Sequence, residues 1–217
     1  MAGIPGPAKG RLLSIMRLLE KNGGRPLTSA EAEAMTGWTR ETIRKDISCM
    51  EADSAGTSAG YVPELLIPAI RKALGLDRRR FFCIVGLGRL GSAYLNYSGD
   101  GRPRSAGDKA DLPEAPVWEE FELAAGFDSN VNRVEILKSR VPLYPAYKIP
   151  EVIGRLSIEI ALLCVPAEAA QASAEKLASA GIRGILNFAP AALKLPAEVT
   201  VRNVSAVDEL RALAVEM

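Results

Sequence analysis

Six consecutive residues in the middle of the chain have the types and spacing to hold a phosphate: Gly86, Leu87, Gly88, Arg89, Leu90 and Gly91. The three glycines have separate tasks. Gly86 permits a tight turn, Gly88 lets the backbone approach a pyrophosphate, and Gly91 lets a helix pack closely on a strand. The hexamer alone is a weak signal, and its setting strengthens it. The wholly apolar run Phe81–Val85 precedes it, as a buried parallel strand would, and the helical Ser92-Ala93-Tyr94-Leu95 follows. Such a site needs an acid at the end of the next strand, to accept from the adenosine ribose hydroxyls and repel a 2′-phosphate. Asp128, after the strand-like Phe121–Phe127, fits that place, although a simple strand-end turn residue is its other reading. It lies 42 residues beyond Gly86, where about 20 is usual. Residues 99–116 account for the excess. They hold three glycines, three prolines and seven charged residues, which reads as an exposed inserted loop.

Other chemistry finds little support. The chain has no histidine, which removes His-dependent triads, His general bases and His-containing metal sites. Cys49, Cys83 and Cys164 are far apart and form no C-x-x-C pair. Cys83 and Cys164 sit in apolar strands, where cysteine is a small core residue. Tyr144 and Lys148 have the Tyr-x-x-x-Lys spacing of short-chain dehydrogenases, but Pro142, Pro145 and Pro150 surround them. The helix that would align such a pair is not expected there. No catalytic and no metal-ligating residue is assigned. A dinucleotide site without a proton-transfer group suggests sensing rather than turnover.

The N-terminal residues are of another kind. Leu12, Leu13, Ile15, Met16, Leu18 and Leu19 give an amphipathic helix, ended by Asn22-Gly23-Gly24. Thr28 to Glu31 reads as a capping box for a second, short helix that stops at Thr36-Gly37. Thr39 can cap a third, from Arg40 to about Met50. It carries Arg40, Thr42, Arg44, Lys45 and Ser48 outside, with Ile43, Ile47 and Met50 for the core. Helix, tight turn and helix is the order of a helix-turn-helix, and these polar side chains reach phosphates and base edges from the major groove. A plain three-helix bundle with a solvated basic face fits the same spacing. Ala52–Gly60 reads as a hairpin or wing, and Tyr61-Val62-Pro63 starts a fourth helix that runs to Leu74 and contains Pro68. Residues 1–80 carry a net charge of +4 and residues 81–217 a net of −3, which hints at a polyanion partner for the first part.

Strand and helix then alternate. Ile158–Val165, Gly184–Phe188 and Val199–Val201 are strands, and Ala167–Ala180 and Val207–Val215 are helices. The fold class expected is α/β, a parallel sheet with helices on both faces behind a small helical domain. The 217 residues are divided into 1–79, 80–204 and 205–217. No apolar run approaches the roughly 18–20 residues needed to span a bilayer, and a cytoplasmic location is expected, without a membrane partner.

At this point the chain resembles the Rex family of redox-sensing transcriptional repressors, along almost its full length. The resemblance rests on Ile43-Arg44-Lys45-Asp46-Ile47-Ser48, Cys83-Ile84-Val85-Gly86-Leu87-Gly88-Arg89-Leu90-Gly91-Ser92-Ala93 and Glu159-Ile160-Ala161. It also rests on Val165-Pro166-Ala167-Glu168-Ala169-Ala170-Gln171 and Gly181-Ile182-Arg183-Gly184-Ile185-Leu186-Asn187-Phe188-Ala189-Pro190. It implies an N-terminal winged-helix domain and a Rossmann-type doubly wound sheet, in a homodimer whose C-terminal helix is swapped between subunits. It implies a repressor that binds operator DNA when NAD+ prevails and leaves it when NADH binds. The nicotinamide would be a signal and the protein no enzyme. Carried over, Gly86, Leu87, Gly88, Arg89, Leu90, Gly91, Asp128, Val165 and Pro166 would hold NAD(H). Arg40, Thr42, Arg44, Lys45 and Ser48 would meet DNA, with Arg44 and Lys45 foremost. Arg17, Tyr97 and Ser205 would belong to the redox-responsive contacts. Two departures stand out: Gly56–Gly60 is uncharged where the family's wing is basic, and Ser205 replaces the acid of the family's Asn-Val-Asp. The alternative is thus a Rex-like NAD(H)-binding protein with lost or altered DNA recognition. An enzyme or a CoA-binding protein on the same fold is a more distant reading.

Overall fold

The computed structural model describes residues 4–50, 56–57, 60–95 and 120–217. The inserted loop expected at 99–116, the wing tip at Ser58-Ala59 and Tyr97 lie outside the described residues. The chain divides into two compact units, Met1–Arg78 and Arg79–Met217.

The first unit opens with α1 (Gly6–Lys21), which buries Ala8, Leu12, Ile15, Met16 and Leu19 on one face. Gly23 and Gly24, both at positive φ, turn the chain back. α2 (Ser29–Thr36) begins with the expected capping box: the Glu31 amide donates to Thr28 Oγ1, while the Thr28 amide donates to Glu31 Oε2. Gly37 in the left-handed region ends it. Thr39 caps α3 (Arg40–Ser48), whose Ile43 and Ile47 meet α1 and α4 in one apolar core. The strands β1 (Gly56–Thr57) and β2 (Gly60–Tyr61) form an antiparallel hairpin, and Tyr61 also pairs with Leu27. α4 (Pro63–Leu74) runs through Pro68 without a break, because Pro68 lies on its exposed side. Three helices, a hairpin and a return helix make a winged-helix arrangement.

The second unit is a six-stranded parallel sheet. Its strands are β3 (Arg80–Val85), β4 (Phe121–Asp128), β5 (Leu143–Pro145), β6 (Ile158–Leu163), β7 (Gly184–Asn187) and β8 (Thr200–Asn203). The order across the sheet is β5-β4-β3-β6-β7-β8. The chain builds outward from β3 in one direction, then returns to β3's other side and builds outward again. That is the doubly wound order of dinucleotide-binding folds, with its crevice where the direction reverses. The apolar run of β3 is explained by cover on both faces. Cys83 and Val85 pack toward one core with Phe127, Val152, Ile153, Ala170 and Leu177. Phe82 and Ile84 pack toward the other, with Leu87, Leu162, Tyr94 and Phe188.

The helices α5 (Arg89–Leu95), α6 (Val131–Ile136), α7 (Ile149–Leu156), α8 (Ala167–Ser179) and α9 (Ala206–Glu216) complete the unit. Three elements between Asp128 and Ile158 have no counterpart in the sequence reading: α6, β5 and α7. Prolines obscure β5 and α7 there, and the structure shows why they are tolerated. β5 is an edge strand, where Pro145 breaks no interior ladder, and Pro150 lies in the first turn of α7. Tyr144 falls on β5 and Lys148 in a 3-10 turn, so they share no helix face. The Tyr144 hydroxyl accepts instead from Arg155 Nη2 at 3.1 Å.

Candidate functional site

The residues singled out in the second unit gather at the carboxyl ends of the central strands. Gly86 follows β3, Asp128 ends β4, and Cys164-Val165-Pro166 follow β6. Backbone bonds tie these ends together: the Gly86 amide donates to the Phe127 carbonyl at 2.8 Å, and the Cys164 amide to the Val85 carbonyl at 2.8 Å.

The glycines differ in what requires them. Gly86 has φ +92°, and a Cβ there would stand 2.6 Å from the Cys164 carbonyl oxygen. A Cβ on Gly91 would collide with the Gly86 carbonyl oxygen. These two glycines are thus demanded by the protein's own packing. Gly88 is different: a Cβ there would meet no described protein atom within 4 Å. The fold leaves that surface of the turn bare beside the first amides of α5, which lack intrahelical acceptors. This is the surface that a pyrophosphate would cover, so the residues present fit a dinucleotide. Arg89 and Leu90 are exposed next to it. Leu87 turns inward: its side chain is buried, and its amide donates to Asp128 Oδ2 at 2.7 Å. Val165 walls the turn on the β6 side, and Pro166 caps α8.

Asp128 is 4% exposed. Besides the Leu87 amide, its Oδ2 accepts from Arg133 Nη1 at 3.0 Å, and its Oδ1 accepts from the Asn130 amide at 2.8 Å. Burial by itself would raise its pKa. The Asn130 and Leu87 amides and the Arg133 guanidinium outweigh burial and hold the carboxyl below the usual aspartate value. Arg133 and Asn130 escaped the sequence reading, because nothing in their spacing announces a partner. Cys164, at the same strand ends, has its thiol pushed up to about 11 by burial, so it stays protonated at neutral pH.

In the first unit, α3 is fixed from behind. Asp46, 4% exposed, accepts from Arg11 Nε at 2.6 Å and Nη2 at 2.9 Å. This two-pronged ion pair links α3 to α1 across 35 residues of sequence. The outward residues differ in freedom. Arg40 Nε donates to Glu33 Oε2 at 2.7 Å. The Thr42 amide and hydroxyl are both engaged by the Thr39 cap. Burial raises the Tyr61 pKa, and the nearby Arg44 charge offsets part of that rise. Lys45 and Ser48 are exposed. Arg17 is exposed on α1, and Ser205 Oγ accepts from the Asp208 amide at 3.2 Å as the cap of α9.

Comparison with known proteins points one way. The family described as CoA binding domain matches residues 120–191. The redox-sensing transcriptional repressor Rex of Thermus thermophilus is 37% identical, covering 97% of this chain and 92% of its own. Two solved structures of RSP, a Rex-family repressor, align over nearly the whole chain. Its complex with beta-NAD+ and operator DNA has a TM-score of 0.79 at 31% identity, covering 100% of this chain and 93% of that one. Its complex with beta-NADH has a TM-score of 0.76 at 30% identity, covering 98% and 93%.

Two outcomes follow from this geometry. Gly88→Ala is expected to leave unfolding stability within about 0.5 kcal/mol of the parent, while NADH affinity by calorimetry falls at least about tenfold. Gly91→Ala is expected to lose both, at about 1–3 kcal/mol of overpacking. Equal effects of the two would refute the division. Asp128, with its folded pKa lowered, stabilises the fold fully above about pH 4, its unfolded value. That contribution is lost as pH falls through the lower folded value. The stability gap between the parent and Asp128→Asn in urea titrations should accordingly shrink below about pH 4; a gap that is constant with pH would contradict the assignment.

Proposed function

The chain belongs to the Rex family of redox-sensing transcriptional repressors, and from that premise we propose that it represses transcription by binding operator DNA and is released by NADH. The bare surface at Gly88 carries the cofactor part of this reading. A turn whose middle glycine meets no described atom, beside first-turn amides that have no intrahelical acceptor, suits the pyrophosphate of NAD(H). Gly86 and Gly91 shape that turn, Val165 and Pro166 border it, and Asp128 pins it to the end of β4. The dinucleotide acts as a signal and not a reagent, so the protein reports the NADH/NAD+ ratio without turning it over. Residues 1–79 are the DNA-binding domain and 80–204 the dinucleotide domain.

For DNA, α3 is the recognition helix. Arg11 and Asp46 hold it, and Arg40 is committed partly to Glu33. Arg44 and Lys45 are exposed and have no ion pair among the described residues, so they are the α3 cations best placed to reach a phosphate. Thr42 and Ser48 flank them, and Arg17, Tyr97 and Ser205 serve the response to NADH. We infer a homodimer through residues 205–217. Every residue of α9 is exposed, including Val207, Leu210, Leu213 and Val215. An apolar stripe of that kind is covered in a stable assembly, here by a second copy.

Electrophoretic or fluorescence titration of a palindromic Rex-type operator tests the repressor reading. Binding is expected with NAD+ and release with NADH. Lys45→Ala should weaken binding to all sequences and reduce the salt slope by about 0.9. DNA binding that ignores NADH, or NADH binding without any DNA binding, would refute it. Sedimentation tests the dimer: deletion of residues 205–217 is expected to give monomers or aggregates, and a soluble dimer surviving that deletion would place the interface elsewhere.

A further inference from the structure

A buried amide stands where the chain leaves the sheet for α9. Asn187, the last residue of β7, is 1% exposed. Burying an amide is costly unless its polar atoms are bonded. Both Nδ2 hydrogens of Asn187 are spent, one on the Ala191 carbonyl at 2.9 Å and one on Asn203 Oδ1 at 2.9 Å. Its Oδ1 accepts from the Ala189 amide at 3.0 Å, and its carbonyl accepts from the Val204 amide at 2.8 Å. Asn203 ends β8 directly opposite Asn187 in the parallel register, and two residues later Ser205 caps α9. Asn187 thus grips both residues at the root of α9, Asn203 by its side chain and Val204 by its carbonyl. On the inner side the Phe188 amide donates to the Leu163 carbonyl at 2.9 Å, so this grip is built on the central strands. Beyond the root every residue of α9 is exposed, and its side-chain hydrogen bonds among the described residues stay within Ser205–Glu216. The direction of the helix is therefore set at its root.

We propose that Asn187 is a positioning residue for assembly: through Asn203 it fixes the direction in which α9 leaves the sheet, and so presents the helix already oriented to a second copy of the chain. The inference rests on the reading that residues 205–217 form the dimer. A helix held at its root loses little freedom on docking, whereas one free to swing must be ordered at that moment. Asn suits the task because its amide donates two hydrogens and also accepts. One donor and the acceptor shape the loop after β7, which leaves the second donor for Asn203.

The test is sedimentation of the full-length parent, Asn203→Ala and Asn203→Asp over a range of concentrations, with calorimetric NADH titration of each where it is dimeric. Asn203→Ala removes the acceptor for Asn187 Nδ2, while Asn203→Asp keeps one. Because a dimer holds two copies of α9, Asn203→Ala is expected to raise the dimer dissociation constant at least about fivefold. Asn203→Asp should stay within about twofold of the parent, and NADH affinity within about twofold in both variants. A dimer that is lost on deletion of residues 205–217 but unmoved by Asn203→Ala would overturn the proposal and leave the dimer reading intact. Equal weakening by Asn203→Ala and Asn203→Asp would overturn it as well, since the acceptor would then not matter. A loss of NADH affinity in step with the loss of dimer would reduce Asn203 to a structural prop and overturn it too. A parent that stays dimeric without residues 205–217, or is never dimeric, would bring down both readings together.

Discussion

A carbonyl oxygen, that of Gly86, stands where any side chain on Gly91 would have to go, and Gly86 itself is pressed against the carbonyl of Cys164. This backbone-to-backbone contact sets the geometry of the second unit. It fixes how closely α5 lies on β3, and how closely the turn approaches β6. Bonds from Gly86 to Phe127 and from Cys164 to Val85 then hold three strand ends level. Once they are level, Asp128 reaches the Leu87 amide and the crevice at the reversal of strand order is complete. A methyl group at either glycine would have to displace main chain rather than a rotatable side chain, which close-packed interiors resist.

The same economy of contacts appears in the first unit, with charge in place of close approach. Asp46 is buried on the inner side of α3, where an unpaired carboxylate would be costly. Arg11 satisfies both of its oxygens, so the helix that presents Lys45 outward is clamped from the side that faces the core. Tyr61 of the hairpin pairs in turn with Leu27.

The two units also differ in how they use their acids. Asp46 is matched to one arginine and serves orientation. Asp128 is shared between backbone amides and an arginine, and so links the turn, the strand end and α6 at one point. Its lowered pKa reflects that sharing, since two neutral donors and one cation together outweigh the penalty of burial.

The sequence by itself determined the parts whose physics is local. The Thr28–Glu31 capping box, the glycine at Gly37 that ends α2, and the apolar run of β3 are all legible within a few residues. The turn at Gly86–Gly91 is legible for the same reason, because steric limits on the backbone act between near neighbours. Resemblance along almost the whole chain added Val165 and Pro166 to the cofactor residues, Arg17, Tyr97 and Ser205 as redox-responsive contacts, and the swapped dimer. Only the tertiary structure decided which of those residues are already engaged. Arg11 finds Asp46 across 35 positions and Leu87 finds Asp128 across 41, and neither pairing leaves a periodic trace. β5 and α7 were hidden because their prolines read as breakers, and an edge position and a first helical turn are exactly defined only by the sheet and helix around them. Asp128 could be read as an acid at a strand end; that it faces inward, neutralised by Arg133, depends on sheet register and on where α6 lands. Those are set by packing between distant segments, which no local pattern encodes.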